Sequence, residues 1–481
     1  MFEQNLSING KFVPSSRGQT LTVVNPYDDS IITEQFQVAS DEDVDAAVSA
    51  AKSAFPGWDA TPAAEKAVVM TKFADFFEAN SDELAQLETV AMGQPVSFAK
   101  RMIVAAACVW KYYAGYAGKV GGDTFPPVED QTYKIVQYEP LGLRPWLQGT
   151  PSSSSQAKSH RCLWTNTVVF SAGRAVVNII TGDGRVGALL ASHMEIAKIS
   201  FTGSEGAGRQ VQIAAARSNL KRVTLELGGK SPAVIFTDAD IQEAAIQCCD
   251  GILRNFGQIC FPASRVLVQE DIAPQVISAL KAAFEEAVKK MGDPSAPATG
   301  IGPVAGKDQM NKVLGFLEQG KADGVEFIAG GGRAGDKGNF VRPTLALDLT
   351  LTSKLYREEL FGPVLAVSTF ETEAEAIKFA NFTPYGLGAA IYTRDIARAL
   401  RVAGQIEAGT VGINGAFATS YNTPFGGWKQ SGYGRELGLE GIKAYLHSKT
   451  IHVKVPSLGK DQVLRTGINL RRSSRQPFED S

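Results

Sequence analysis

Histidine and cysteine are scarce, with four and five residues respectively in a chain of 481. None of the cysteines falls in a Cys-x-x-Cys or Cys/His spacing, so neither a zinc site nor a disulfide framework is expected. A few thinly spread thiols suit a reducing compartment, and the expectation is a cytoplasmic protein. Charge of one sign is lacking too. A formal net charge of −2 argues against nucleic acid or an anionic membrane as the main partner. No apolar run approaches the ~18 residues that span a bilayer. The opening MFEQNLSING lacks a basic stretch followed by an apolar core, and the closing QPFEDS carries no retrieval, peroxisomal or prenylation signal. What remains is 44% apolar and 20% charged, an ordinary globular balance at a length that accommodates two or three domains.

The pattern of elements divides the chain. SDEDVDAAVSAAKSAFPGW offers Ser40 and Asp41 as helix caps, and the stretches from Thr61 to Thr89 and Ser97 to Gly122 continue with helical spacing. QTYKIVQYEPLG alternates like a strand. From Thr167 the runs TVVF, VVNIIT, KISFTGS and RVTLELGG read as buried strands. VGALLASHM and GAGRQVQIAAARS read as helices between them, an alternation that predicts a parallel α/β sheet. A second α/β stretch runs from about Ser231 to Gly434. TPSSSSQAKSH, Thr150 to His160, reads as a loop, and the tail beyond Val455 as polar and mobile.

Four places carry chemistry. Cys260, in NFGQICFPASR, follows a glycine turn and precedes a strand. A cysteine attacks as thiolate and needs a lowered pKa or a neighbouring base; the plainer reading is a packed small hydrophobe. Cys108, Cys248 and Cys249 lie on helical patterns and read as packing residues. Glu226 ends a strand before LGGK, where it is either a general base with a raised pKa or a carboxylate paired with Lys230 or a backbone amide. In SFTGSEGAGRQ, a strand ends at Gly203-Ser204 and Gly208 opens a helix. Such a turn takes a pyrophosphate or is a simple βα connection. EELFGPV, Glu358 to Val364, is a turn or a holder of ribose hydroxyls.

Together these blocks resemble the aldehyde dehydrogenase superfamily. LELGGKSP followed by NFGQICFPASRVLVQ is similar to its two signature blocks. FTGSEGAG, EELFGPV, NFTPYGLGAAIYTRD and PFGGWKQSGYGRELG are similar to four more, in family order. The resemblance implies an α/β fold with a Rossmann-type cofactor domain (1–121 and 141–229), an α/β catalytic domain (230–437) and a small β oligomerisation arm (122–140 and 438–455), followed by a polar tail (456–481). It implies oxidation of an aldehyde to an acid with NAD or NADP. Cys260 would be the nucleophile that carries a thioester and Glu226 the general base. Gly203, Ser204, Gly208 and Leu227 would line the cofactor, Glu359 would hold the nicotinamide ribose and Phe361 would pack near the ring. The implied partners are a small-molecule aldehyde and further copies of the chain, as a homodimer or homotetramer.

One region departs from the family. Its Pro-Trp-Asn stretch supplies an oxyanion donor, but here Pro145-Trp146 is followed by Leu147, which has no donor to give. The lysine and glutamate that contact the adenosine ribose are missing, and so is a helix of about twenty residues. Only Ser171 to Ala175 separates TVVF from VVNII, and parallel neighbours need a crossover of about a dozen residues. One of those strands must therefore leave the sheet, pair differently or disorder. The chain is then an enzyme with a rebuilt cofactor edge, a degenerate non-catalytic member, or the product of a mistaken frame or splice across about 143–174.

Overall fold

The computed structural model describes residues 4–127, 131–142, 145–148, 167–170, 177–347, 350–415 and 419–454. Thr150 to His160 and the tail beyond Val455, read above as loop and mobile polar segment, lie outside the described residues. The chain divides into two compact units, Met1–Gly118 with Leu141–Tyr445, and Lys119–Pro140 with Leu446–Ser481.

The larger unit contains two sheets. The helix Asp41–Asp59 begins at the expected cap. Ser40 accepts the amide of Asp43 and the Asp43 carboxylate returns to the Ser40 amide, so two otherwise unpaired N–H groups are satisfied. Val44, Ala47, Val48 and Ala51 form its buried stripe against Ile180, Ile196 and Ile199. The helices Ala63–Ala79, Ser81–Met92 and Val96–Ala114 follow the predicted pattern.

The second sheet has seven strands. Ser231–Ile235, Ala263–Gln269, Val364–Phe370, Gly388–Tyr392 and Thr410–Ile413 are parallel to their neighbours, and Glu326–Ala329 joins Thr344–Leu347 antiparallel at one edge. Both faces are covered, so the strands read as continuous apolar runs. Val234, Ile235, Val266, Leu267, Val268, Leu365 and Ile391 are fully buried, each contributing ~1.5–3 kcal/mol relative to exposure. The helix Ile241–Leu253 makes the crossover from Ser231–Ile235 to Ala263–Gln269.

The first sheet corrects the expectation of an all-parallel arrangement. Its eight strands are mixed. Pro145–Gln148, Lys198–Thr202 and Arg222–Glu226 are parallel. Thr167–Phe170 instead runs antiparallel to both its neighbours, Pro145–Gln148 and Val177–Ile180. The register Thr167↔Ile180 through Phe170↔Val177 is that of a hairpin. The short connection 171–176 forces this: it cannot hold a parallel crossover, so of the three outcomes open to the strand it pairs differently.

The smaller unit is a three-stranded antiparallel sheet. Thr132–Pro140 lies between Asp123–Phe125 and Leu446–Lys454. Tyr133, Ile451 and Val453 are exposed apolar residues on it.

Candidate active site

Two consecutive glycines tie the candidate residues together. Glu226 ends its strand, and Gly228 and Gly229 follow. A Cβ on Gly228 would fall 2.1 Å from the Glu359 carboxylate, and one on Gly229 would fall 2.4 Å from the Cys260 carbonyl oxygen. The missing side chains are what let the Glu359 carboxylate and the Cys260 loop close onto the same backbone. The Gly229 amide donates to Glu359 Oε1 at 3.1 Å.

Cys260 stands on a tight, built turn. Asn255, Phe256 and Gly257 are all left-handed, at φ 47°, 56° and 75°. Such a run is costly for side chains other than glycine and needs support. The support is reciprocal: Asn255 Nδ2 donates to the Gln258 carbonyl at 3.0 Å, and Gln258 Nε2 returns to the Asn255 carbonyl at 3.2 Å. Gln258 Oε1 accepts the Ala305 amide, and Gly257 lies against the Gly362 backbone. Cys260 itself is half-buried. Burial is the main influence raising its thiol pKa, followed by the fields of Glu359 and Glu226 and, last, Glu436. The thiol and both predicted carboxylates therefore share one electrostatic neighbourhood.

Glu226 is 5% exposed, and its Oε2 has no hydrogen-bond partner among the described residues. Burial first, and then the field of Glu436, push its pKa up to about 9 against the opposing Arg435. Neither of the plainer partners, Lys230 or a backbone amide, reaches Oε2, and the carboxylates whose fields act on Lys230 are Glu359 and Glu358. Burial also pushes Glu359 up to about 7, against the Gly229 amide, Lys312 and Lys230.

The pyrophosphate candidates lie next to this group. Ser204 caps the helix Glu205–Arg217, its Oγ accepting from the Ala207 amide. That helix starts at Glu205, so Gly208 sits in its first turn rather than opening it as expected. A Cβ there would meet Leu227 Cδ2 at 2.7 Å, which fixes Leu227 as the floor under the turn. Gly203 donates to the Glu226 carbonyl. Phe361 is left-handed, at φ 56°, and its carbonyl and that of Leu360 are held by Gln309 Nε2. The packing expectation holds for Cys248 and Cys249, which are buried in the second core, while Cys108 is half-buried on its helix.

Sequence reading left several contributors without a role. Asn255 is the clamp of the turn, and asparagine's tolerance of left-handed backbone was the available signal. Phe425 and Glu436 exchange backbone hydrogen bonds at 2.8 Å. This pairing brings the Phe425 ring 5.8 Å from Phe261, next to the thiol, and puts Glu436 within the field of Glu226. That pairing spans the PFGGWKQSGYGRE block, and no local pattern announces it. A cavity beside the loop is lined by Ile259, Phe261, Cys248 and Tyr392, but by none of Cys260, Glu226 and Glu359.

Among the described residues no helix is long and apolar enough to cross a membrane, and no group of His, Cys, Asp and Glu has the arrangement of a metal site. A model of the aldehyde dehydrogenase family matches residues 12–146 and 165–451. The gap between those segments falls inside the region that departs from the family pattern. An aldehyde dehydrogenase of Emericella nidulans is 38% identical over 482 residues, covering 94% of this chain and 96% of its own. One from Alternaria alternata is 39% identical over 484 residues, covering 94% and 96%. Among solved structures, a mutant of P. syringae AldA indole-3-acetaldehyde dehydrogenase in complex with NAD+ and IAA superposes with TM-score 0.87 at 31% identity. It covers 95% of this chain and 97% of that one. PnpE from Pseudomonas sp. WBC-3 gives 0.86 at 34%, covering 95% and 99%.

Proposed function

Because the chain belongs to the aldehyde dehydrogenase family, we propose that it oxidises an aldehyde to a carboxylic acid with NAD+ or NADP+, through a thioester on Cys260. The observation that carries this reading is the convergence of Cys260, Glu226 and Glu359 on the Gly228-Gly229 backbone. The fit for a dinucleotide rests on three features of the cleft. The first-turn amides of the Glu205–Arg217 helix suit a pyrophosphate. Leu227 packs beneath that turn. Glu359 is held by the Gly229 amide beside the thiol's loop, where it would bind ribose hydroxyls, with Phe361 two residues on.

When bound, the nicotinamide supplies a hydride acceptor. The Cys260 thiol gives up its proton to solvent, and the sulfur attacks the carbonyl carbon to form the alkoxide of a thiohemiacetal. Loss of hydride from that carbon leaves the acyl group on sulfur. Glu226, once ionised, takes a proton from water as the water attacks the acyl carbon, and the acid departs as the sulfur is released. Burial keeps Glu226 protonated at neutral pH, so its service as base increases as pH rises towards about 9. The Phe261 and Phe425 rings give the thiol an apolar wall suited to an aldehyde's carbon skeleton. The exposed apolar residues of the smaller unit support assembly of several copies of the chain.

The test is turnover. Mixing the protein with NAD+ or NADP+ and a range of aldehydes should produce reduced-nicotinamide absorbance, and Cys260→Ala should abolish it. Equal rates for the two proteins would reject the proposal. A second reading, a non-catalytic member that keeps the fold, is favoured by Leu147 at the place of the family's oxyanion donor and by the unmatched stretch between the two family segments. Calorimetric binding of the dinucleotide without turnover on any aldehyde would support it.

A further inference from the structure

We propose that Glu205 is a resident negative charge on the pyrophosphate turn that holds down affinity for the dinucleotide, an inference that rests on the cofactor reading above. Glu205 is the first residue of its helix, directly after the cap Ser204. Its Oε1 accepts from Arg209 Nε at 2.9 Å and from Arg209 Nη2 at 2.5 Å. From the other side the Gln430 amide, with its nitrogen turned towards the carboxylate, lies 3.0 Å from Oε1 and 3.3 Å from Oε2. Gln430 belongs to the segment whose Gly432 pairs with Glu226, so the contact joins the turn to the wall of the catalytic cleft. The Gln430 backbone amide donates to the Pro384 carbonyl and Lys429 pairs with Tyr385, whose phenol pKa is raised by burial and then by the fields of Glu359 and Glu205. Glu205 therefore faces the same cleft as the ribose-holding candidate, and its side chain is only 27% exposed.

The consequence is electrostatic. The amides and dipole at this helix start favour an anion, and Glu205 already places one there. A dinucleotide brings a doubly charged pyrophosphate into the same field. Arg209 offsets the carboxylate only in part, because the arginine side chain is 60% exposed and its field is weakened by water. The dinucleotide must enter against the charge of Glu205.

Calorimetry with NAD+ and NADP+ on the full chain tests this, comparing wild type, Glu205→Gln, Glu205→Asp and the control Glu286→Gln on an exposed helix surface. Glu205→Gln should bind about tenfold more tightly, from the loss of one nearby like charge. Glu205→Asp and Glu286→Gln should match wild type. The tenfold gain should shrink as salt is raised, because screening removes a charge effect but not a shape effect. Unchanged or weaker binding by Glu205→Gln, or a gain that ignores salt, overturns this inference while leaving the cofactor reading in place. No binding by any of the four proteins overturns both.

Discussion

Glu226 carries its proton into a place where water cannot help it ionise. Its pKa stands at about 9 in the folded chain against 4.5 for the ordinary carboxyl. Between those values the unfolded chain has lost this proton and the folded chain keeps it. Unfolding therefore releases a proton, and stability falls as pH rises from about the ordinary carboxylate value through about 9. The contribution is complete below that window and gone above it. The slope approaches about 1.4 kcal/mol per pH unit. Glu226→Gln, neutral at every pH, should flatten the fall in stability between pH 6 and pH 9 (roughly the alkaline part of the window), measured by urea denaturation. A wild-type profile already flat there would contradict the burial of this charge. Glu226 and Cys260 could be singled out in the sequence because both sit in long, specific blocks. Their mutual approach was not, since it depends on Gly228 and Gly229 admitting two distant loops.

At the scale of the element, the turn before Cys260 is a costly piece of local structure. Three successive left-handed residues are held by the Asn255–Gln258 exchange and by a glycine pressed against the Gly362 backbone. An added Cβ at position 257 would lie 2.1 Å from the Gly362 carbonyl oxygen, with φ at 75°. Gly257→Ala should lower stability by about 2–4 kcal/mol and slow alkylation of Cys260 as the loop shifts. Denaturation midpoints and the rate of iodoacetamide labelling check both effects, and wild-type values for the two together would mean the turn is not the support described. The Ser40–Asp43 capping box and the buried strands of the second sheet were readable because cap chemistry and apolar runs are local signals. The antiparallel hairpin Thr167–Phe170 with Val177–Ile180 was readable only as a prohibition. The length of 171–176 excluded the parallel crossover without choosing among its replacements.

At the scale of the whole molecule, the larger unit sets two sheets to two tasks. The eight-stranded sheet carries Glu226 at the end of a strand and delivers the helix start at Ser204, while the seven-stranded sheet leads out of the Cys260 turn. Family membership spans both flanks of an unmatched stretch, 147–164. The proposed chemistry lies at the nicotinamide end of the cleft, with the sulfur of Cys260 as the proposed covalent centre. The most direct measurement is intact-protein and peptide mass after brief incubation of Glu226→Gln with dinucleotide and a reactive aldehyde. Without an ionised carboxylate to activate water, the acyl group should persist, as a mass increase on the peptide containing Cys260 that appears only when the dinucleotide is present. An unmodified Cys260 peptide, or an acyl group carried by another residue, would contradict the account.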